Sequence, residues 1–324
     1  MKLSILSDQN YYNCFHSNVC ACSQYLNRKW VLLFSTTLNF IYHPDSETCG
    51  KSILQYYSRP NGELPDTTNE LLYKYNGLRM VLQQDLTWNE FLNLIKEEIS
   101  HQRPVVLHFN TFYAPWSKLY RKEYLSEFIS ITQINEESIT LFDPYHKKDE
   151  ISLSKEQLRN SLVKTINAWT FDLNTQISAL NGNVILRNIQ NYYIQNNNFV
   201  NLIKQFSDRV LNTFDYEIEV LKYEVIEESP IIKNLKQLSY YRLVHRDFLN
   251  EIISCIDNRN NRDNVLHVID RLNKSLQAWD KLRAVLIYKK IRNDLSSKNE
   301  WMYNKLNEIA DLEKEILLIY SRFK

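Results

Sequence analysis

The chain has 324 residues, about twice the size of an ordinary domain, so either one large domain or two smaller ones are expected. Hydrophobic residues make up 44% of it, which is enough to build a core and excludes disorder of the whole chain. The 39 Lys and Arg nearly balance the 38 Asp and Glu, and only four glycines occur. Nucleic-acid binding dominated by phosphate contacts and the glycine-rich loops of nucleotide enzymes are therefore both disfavoured.

The N-terminal segment shows no sign of a targeting sequence. Met1–Asp8 turns polar after six residues, so it lacks the apolar centre of a secretory signal. The longest purely apolar run, Trp30–Phe34, is far shorter than the ~20 residues of a membrane-spanning helix. We therefore expect a soluble, cytoplasmic protein whose five cysteines are free thiols.

The first predicted helix runs from Cys14 to about Asn27. Asn13 or Asn10 is expected to cap it, because an Asn side chain accepts a hydrogen bond from the first free N–H groups of a helix. The apolar stripe follows the three- and four-residue spacing of a helix at Phe15, Val19, Cys22 and Leu26.

A second helix and three strands are predicted in the rest of the first half. Thr87 is expected to cap the amphipathic helix Trp88–Ile99, and Pro104–Phe109 is predicted to be a strand. Phe128–Gln133 and Ser138–Phe142 are predicted to pair as a hairpin. A lone helix followed by a sheet with polar residues at its strand ends predicts an α+β fold.

From about Asn181 onward the chain changes to long helical patterns. A broad apolar stripe interrupted by one glutamate predicts a C-terminal helix over Met302, Leu306, Ile309, Glu313, Ile316 and Tyr320. The Asn-rich segment Asn191–Asn198 is predicted to be a loop. We place a boundary near Gly182, the last glycine, which divides the chain into a first domain, 1–180, and a mostly α-helical second domain, 181–324.

Cys14 is the residue with the clearest chemical potential. In the first turn of its helix, the helix dipole and the unpaired backbone N–H groups favour a thiolate and can hold a developing oxyanion. Gln9 and Asn13 are near enough in sequence to add amide donors to such an oxyanion site. The alternative is that Cys14 is a small, half-buried side chain with no chemical role.

Several motifs occur in a particular order along the chain. They are Asn13–His16 at the start of the first helix, Arg103–Leu107 followed by the aromatic loop Phe112–Trp116, the strand Phe128–Ile131, the stretch Leu141–Tyr145 and the helical stretch from Ala278 to Glu313. In this order they resemble the papain-like cysteine fold of the butirosin biosynthesis protein H N-terminal family. The resemblance covers most of the chain and rests on the order and spacing of the motifs, each of which is loose by itself.

The resemblance implies an amide-forming acyltransferase of specialised-metabolite biosynthesis, such as nonribosomal peptide or polythioamide assembly. Members of the family are similar to cysteine proteases, but they take an acyl group from a carrier-protein thioester and pass it to an amine. The resemblance makes Cys14 the nucleophile and Asp143 the orienting acid, and it places Glu127 at the position of the general base. It implies a phosphopantetheine carrier protein as partner and a small amine as acceptor, without a bound cofactor, metal, membrane or nucleic acid.

Glu127 departs from the family pattern, which has histidine at that position. A carboxylate is about four pKa units more acidic than a thiol, so proton transfer to it is uphill by roughly 5–6 kcal/mol, and its charge raises the pKa of the thiol. Glu127 is therefore expected to weaken or reshape catalysis unless it is protonated or another base serves. The alternative bases are His108 on a strand near the site, His16 on a different helix face, and His146, which is expected in a solvated turn.

The aromatic loop is the candidate substrate pocket. Tyr113 and Trp116 are expected to line a pocket for the acyl group, unless the loop only packs on the core. A small basic cluster that suits an acidic carrier protein follows the loop at Lys118, Arg121 and Lys122.

Two other functions remain open from the sequence. The missing histidine at position 127 supports a catalytically impaired or non-catalytic protein that binds a carrier or a peptide. A thioester or peptide hydrolase would differ only in that water accepts the acyl group. A zinc site is not expected from the N-terminal cysteines, because Cys20 and Cys22 point to different sides of one helix.

Overall fold

The described residues form helices and two antiparallel sheets, so the predicted α+β class is confirmed. The protein is described from a computed structural model over residues 1–5, 13–54, 64–117, 120–122, 124, 126–162, 165–292 and 299–323. In chain order the helices are α1 (Cys14–Tyr25), α2 (Cys49–Ser52), α3 (Asp66–Leu71), α4 (Trp88–Ser100), α5 (Lys155–Ser161), α6 (Gly182–Gln195), α7 (Phe199–Thr213), α8 (Pro230–Ile252), α9 (Arg259–Arg292) and α10 (Asn299–Tyr320). The strands are β1 (Ile41–Tyr42), β2 (Ile53–Leu54), β3 (Leu78–Leu86), β4 (Val105–Asn110), β5 (Ser126–Ile134), β6 (Ser138–Asp143), β7 (Lys148–Ser154) and β8 (Ile166–Leu173).

The chain divides into two compact units. The first contains Met1–Leu32 and Tyr57–Ser178, and the second contains Leu33–Tyr56 and Ala179–Lys324. The segment around β1, α2 and β2 therefore belongs to the helical unit, whereas we predicted it to lie in the domain 1–180. Within the helical unit the buried amide of Asn234 on α8 donates hydrogen bonds to the backbone oxygens of Gly50 (2.9 Å) and Ile53 (2.6 Å). No local sequence pattern predicts hydrogen bonds between residues so far apart in the chain.

A six-stranded antiparallel sheet forms the centre of the first unit, with strand order β3-β8-β4-β5-β6-β7. The predicted hairpin is its β5–β6 pair. The side-chain oxygen of Asn135 closes the turn by accepting hydrogen bonds from the N–H groups of Glu137 (3.0 Å) and Ser138 (2.6 Å). Because the two strands are antiparallel, the start of β5 and the end of β6 lie at the same edge of the sheet.

The two faces of the sheet are covered by different helices. On β5, Ile129 and Ile131 point into an apolar cluster that also contains Phe91 and Ile95 of α4. Phe128 and Ser130, which alternate with them, point to the opposite face, where α1 packs. The rings of Phe15 and Phe128 meet there edge to face, with their centroids 5.0 Å apart. This packing places the N-terminus of α1 beside the start of β5.

The two helices predicted in the first half are confirmed, with small changes at their ends. Asn13 caps α1, which ends at Tyr25. Thr87 caps α4 through a capping box, in which its hydroxyl accepts from the backbone of Glu90 and the Glu90 carboxylate accepts from the backbone of Thr87. Capping and apolar spacing act within one or two turns, which is why they can be predicted without knowledge of the fold.

The predicted loop Asn191–Asn198 is wrong in its first half, because α6 continues to Gln195. Its buried side extends the stripe of Ile185 and Ile189 to Tyr193, which is fully buried. The Tyr193 hydroxyl accepts a hydrogen bond from the N–H of Leu38 at 3.1 Å. Tertiary packing of one aromatic ring therefore outweighs the low helix propensity of the asparagines.

The predicted C-terminal helix is confirmed as α10, and the glutamate in its apolar stripe is buried. Arg242 on α8 donates two hydrogen bonds to the Glu313 carboxylate, at 2.8 and 2.6 Å. Ser275 and Trp279 on α9 donate to the same carboxylate, at 2.8 and 3.0 Å. The interruption of the stripe is thus a charged group held by partners from two other helices.

Replacing Arg242 by Met is expected to destabilise the protein by about 3–5 kcal/mol, because it leaves the Glu313 carboxylate buried without its cation. Denaturant unfolding measures the change in the free energy of unfolding. Arg246 on the same helix is the control: its pairing with Asp247 is exposed, so Arg246→Met is expected to cost less than about 1 kcal/mol. Equal losses for the two variants would contradict the assignment.

None of the helices in the described part of the chain combines the length and the apolar character that crossing a membrane requires.

Candidate active site

Cys14 is the first residue of α1, as predicted, but its side chain is buried and only 8% of it is exposed. Asn13 closes the end of the helix, since its Oδ1 accepts the N–H of His16 at 2.7 Å. The sequence predicted a thiol that the helix N-terminus converts readily to a thiolate. The structure instead surrounds the thiol with groups that, taken together, disfavour the thiolate.

Burial is the main reason that the pKa of the Cys14 thiol is raised far above its usual value, and the charge of Glu127 is the second. Backbone hydrogen bonds at Phe128 and Phe15 lower this pKa, but they do not offset the burial and the charges, to which Asp143 also contributes. The backbone at the helix end therefore lowers the pKa of the thiol, as expected, but burial and the two carboxylates outweigh it. The expectation that Glu127 raises the pKa of the thiol agrees with the structure.

Asn18 ties the start of α1 to strand β5. Its amide nitrogen donates to the backbone oxygens of Cys14 and Phe128, both at 2.8 Å, and its Oδ1 accepts the hydroxyl of Ser130 at 2.6 Å. All of these groups are buried, so the bonds hold the first turn of the helix at a set place on the strand. Sequence reasoning missed Asn18, because its role depends on a strand 110 residues further along the chain.

Asp143 and His146 face each other across the turn that follows β6. The backbone N–H of His146 donates to Oδ1 of Asp143 at 3.1 Å, and Nδ1 of the same histidine lies 2.9 Å from Oδ2. Since a carboxylate can only accept, the imidazole donates its Nδ1–H. We predicted His146 to lie in a solvated turn, but only 22% of its side chain is exposed. The two hydrogen bonds to Asp143 close the turn and hold the imidazole of His146 against the protein.

Glu127 lies on the other side of the same imidazole. Its Oε2 is 3.5 Å from Nδ1 of His146, and its carboxylate is buried. Glu127 comes from β5 and Asp143 from β6, at the sheet edge where the N-terminus of α1 packs. The cluster of Cys14, Glu127, Asp143 and His146 is called the thiol–acid site below.

The electrostatics of the site act strongly on His146. Burial by itself lowers the pKa of this imidazole, but the hydrogen bond and the charge of Asp143, together with the charge of Glu127, raise it by more. The net result is a pKa of His146 above its ordinary value of 6.5.

Trp116 supports the site from the aromatic loop. Its indole N–H donates to Oδ2 of Asp143 at 2.8 Å, and its ring stacks on Phe109 with centroids 5.8 Å apart. Trp116 was predicted to line a pocket. The structure gives it a definite contact with the acid that orients His146.

Replacing Trp116 by Phe is expected to raise the pKa of His146 by up to about one unit. Without the indole N–H, Oδ2 of Asp143 becomes a stronger acceptor and stabilises the protonated imidazole more. An NMR titration of the imidazole measures this pKa. Trp88→Phe, at the start of α4, is the control and should leave the pKa unchanged. An unchanged pKa of His146 in the Trp116 variant would contradict the inferred coupling.

The remaining predicted site residues are not brought to the thiol–acid site by the described contacts. Gln9 lies outside the described residues. His108 hydrogen-bonds to Ser126 and stacks on Phe128, and burial lowers its pKa. Tyr113 is 37% exposed and contacts the rings of the neighbouring loop. Burial lowers the pKa of His16 to about 3, so that ring stays neutral.

Asn13 keeps an unused amide donor beside Cys14. Its amide nitrogen is buried and has no hydrogen-bond partner within the described part of the chain. A buried amide donor without a partner is uncommon and costs free energy, so it suggests a group that the site is built to receive. Its position next to Cys14 is the one that we predicted for such a donor.

Neither a comparison with models of known protein families nor a comparison with curated proteins finds a match to this chain. The functional argument therefore rests on the geometry of the thiol–acid site.

Proposed function

We propose that this protein is a cysteine-dependent acyltransferase that forms amides, with Cys14 as the nucleophile and His146 as the base. The observation that carries the proposal is that two buried carboxylates hold His146 and that their charges also act on the thiol at the start of α1. Thiol, imidazole and orienting carboxylate are the set of groups that cysteine enzymes use for acyl transfer.

A papain-like arrangement of the first unit fits this proposal. Helix α1 presents its N-terminus to an antiparallel sheet, and the acids come from the start of β5 and the end of β6. In the family that the sequence resembles, the base would stand at position 127. Here we infer that His146, three residues after Asp143, takes that role, and that Glu127 stabilises the protonated imidazole at 3.5 Å.

The proposed reaction has two acyl transfers. The sulfur of Cys14 attacks the carbonyl carbon of a carrier-protein thioester while His146 takes the thiol proton. The C–S bond to the carrier then breaks, and the carrier thiol leaves with that proton. An amine next attacks the Cys14 thioester, loses a proton through His146, and leaves as the amide, so that Cys14 is restored as a thiol.

The charge that develops on the carbonyl oxygen needs donors in each transfer. The buried amide nitrogen of Asn13 is available for this purpose. A single donor of this kind contributes about 10²–10³ to the rate in other acyl-transfer enzymes.

The raised pKa of Cys14 limits the choice of acyl donor. Proton transfer from such a thiol to an imidazole is uphill, so the attack is slow unless the acyl group is activated. Exchange between a thiol and a thioester is nearly neutral in free energy, whereas attack on a peptide bond is not. We therefore expect thioesters to acylate the protein and peptides to remain intact.

A carrier protein with a phosphopantetheine arm is the proposed donor, and no cofactor bound to this chain is required. The exposed side chains of Arg121 and Lys122, after the loop that holds Trp116, suit the acidic surface of such a partner. Lys118, the third residue of the predicted basic cluster, lies outside the described residues.

A non-catalytic protein that binds a carrier or a peptide is the second candidate. The observation that favours it is the burial of Cys14, because a nucleophile must reach its substrate. A thioester hydrolase uses the same first transfer and differs only in its acceptor.

Intact-protein mass spectrometry after mixing with a small acyl thioester, such as an acyl-pantetheine, separates these functions. If the protein is an acyltransferase, its mass should increase by one acyl group. Addition of an amine should remove this increase and release the amide. Release of free acid at the same rate without an amine would indicate a hydrolase. If several different acyl thioesters are tried and none forms an adduct, the non-catalytic candidate is favoured and the proposal is overturned.

A further inference from the structure

Three side chains of the thiol–acid site present metal-ligating atoms to one another. Oxygens of Glu127 and Asp143 and a ring nitrogen of His146 all lie within 4.8 Å of each other. Both carboxylates are buried and the imidazole is half-buried. Nδ1 of His146 lies 2.9 Å from Oδ2 of Asp143 and 3.5 Å from Oε2 of Glu127.

These separations match those between the ligands of one first-row metal ion. Zinc lies about 2.0–2.2 Å from oxygen and nitrogen ligands, and neighbouring ligands at tetrahedral or octahedral angles are then about 2.8–3.6 Å apart. An ion can enter this triangle with small side-chain rotations. The Nδ1–H of His146 would move to Nε2, leaving the lone pair of Nδ1 for the metal.

We propose that Glu127, Asp143 and His146 bind one divalent first-row metal ion, and that this ion reversibly switches off acyl transfer. An imidazole nitrogen beside two carboxylates suits zinc and cobalt rather than magnesium or calcium. The binding part stands by itself, whereas the switching part rests on the proposed function.

Trp116 supplies the outer contact that metal-binding carboxylates usually have. Its indole N–H already donates to Oδ2 of Asp143 at 2.8 Å and can keep that bond when the other lone pairs of Asp143 bind metal. The stacking of its ring on Phe109 fixes the direction of the donor.

A metal ion in this position blocks both steps of the proposed reaction. With Nδ1 bound to the metal and a proton on Nε2, His146 has no lone pair left to take the proton of the thiol or of the amine. Removal of the ion by a chelator restores the base.

Calorimetric titration of the purified full chain with Zn²⁺ tests the binding, and Co²⁺ provides a spectroscopic signal. We expect one ion per chain and, with Co²⁺, visible absorption bands that saturate at the same ratio. His146→Ala and Glu127→Gln are each expected to weaken binding at least tenfold. His101→Ala, at an exposed histidine after α4, is the matched control and should bind like the wild type.

Glu127→Gln keeps the shape of the side chain, and a thermal melt of each variant shows whether it is folded. A wild-type chain that shows no saturable binding, or a folded Glu127→Gln variant that binds as tightly as the wild type, would overturn the metal site.

Acylation measured with and without a chelator keeps this inference separate from the proposed function. Acylation that Zn²⁺ suppresses and a chelator restores supports both. Acylation that persists in saturating Zn²⁺ overturns the switch but leaves the acyltransferase. Metal binding by a chain that is never acylated supports the site and overturns the enzyme proposal.

Discussion

Replacing Cys14 by Ser is expected to abolish the covalent acyl adduct and to lower amide formation by about three orders of magnitude or more. A serine hydroxyl in the same place is far less acidic and less nucleophilic than a thiol, so a base placed for the thiol activates it poorly. Because Ser is nearly the same size as Cys, the packing of α1 on β5 should survive, so loss of activity cannot be ascribed to unfolding.

Cys22→Ala is the matched control for this experiment. Cys22 lies on the same helix, is fully buried, and contacts the hydroxyl of Ser130 at 3.3 Å rather than the acids. The control should form the adduct and retain amide formation. If the Cys14 variant still carries an acyl group, or if the control loses it, Cys14 is not the nucleophile.

Replacing His146 by Asn is expected to lower the rate of acyl transfer by about 10²–10⁴. In the wild type the rate should rise with pH through the raised pKa of His146, because only the neutral ring can accept the thiol proton. The variant should lose this rise. A pH profile of kcat/KM from pH 5 to 9 measures both effects.

The contribution of His146 to stability falls as pH rises, whereas its contribution to the rate increases. Its folded-state pKa is raised, so the contribution of the protonated ring is present in full below the unfolded value of 6.5 and is lost as pH rises through the folded value. His146→Asn should therefore destabilise the protein more at pH 5.5 than at pH 8.5. If the pKa of His146 were unshifted, the variant would lose the same amount of stability at both pH values.

His108→Asn tests the alternative base. Its imidazole hydrogen-bonds to Ser126 and stacks on Phe128, so its loss should leave the rise of rate with pH in place. A rise that vanishes in the His108 variant and persists in the His146 variant would reverse the assignment of the base.

Several features of the fold could be predicted from the sequence because they depend on neighbouring residues. The caps at Asn13 and Thr87, the hairpin turn at Asn135 and the buried stripe of α10 all arise from bonds or spacings within a few residues. The position of Cys14 at a helix start is of the same kind. The confirmed α+β class follows from such local patterns taken in order.

The tertiary structure alone decided the chemistry of the site. The sequence places Glu127, Asp143 and His146 in or beside a predicted hairpin, but only the pairing of β5 with β6 and the turned-in ring give the separations of 2.9 and 3.5 Å. The pKa of Cys14 depends on burial and on charges from strands more than a hundred residues away, and these outweigh the helix end that the sequence shows. Local hydrogen bonding and periodicity are properties of short segments, whereas desolvation and charge coupling exist only after distant segments have packed together.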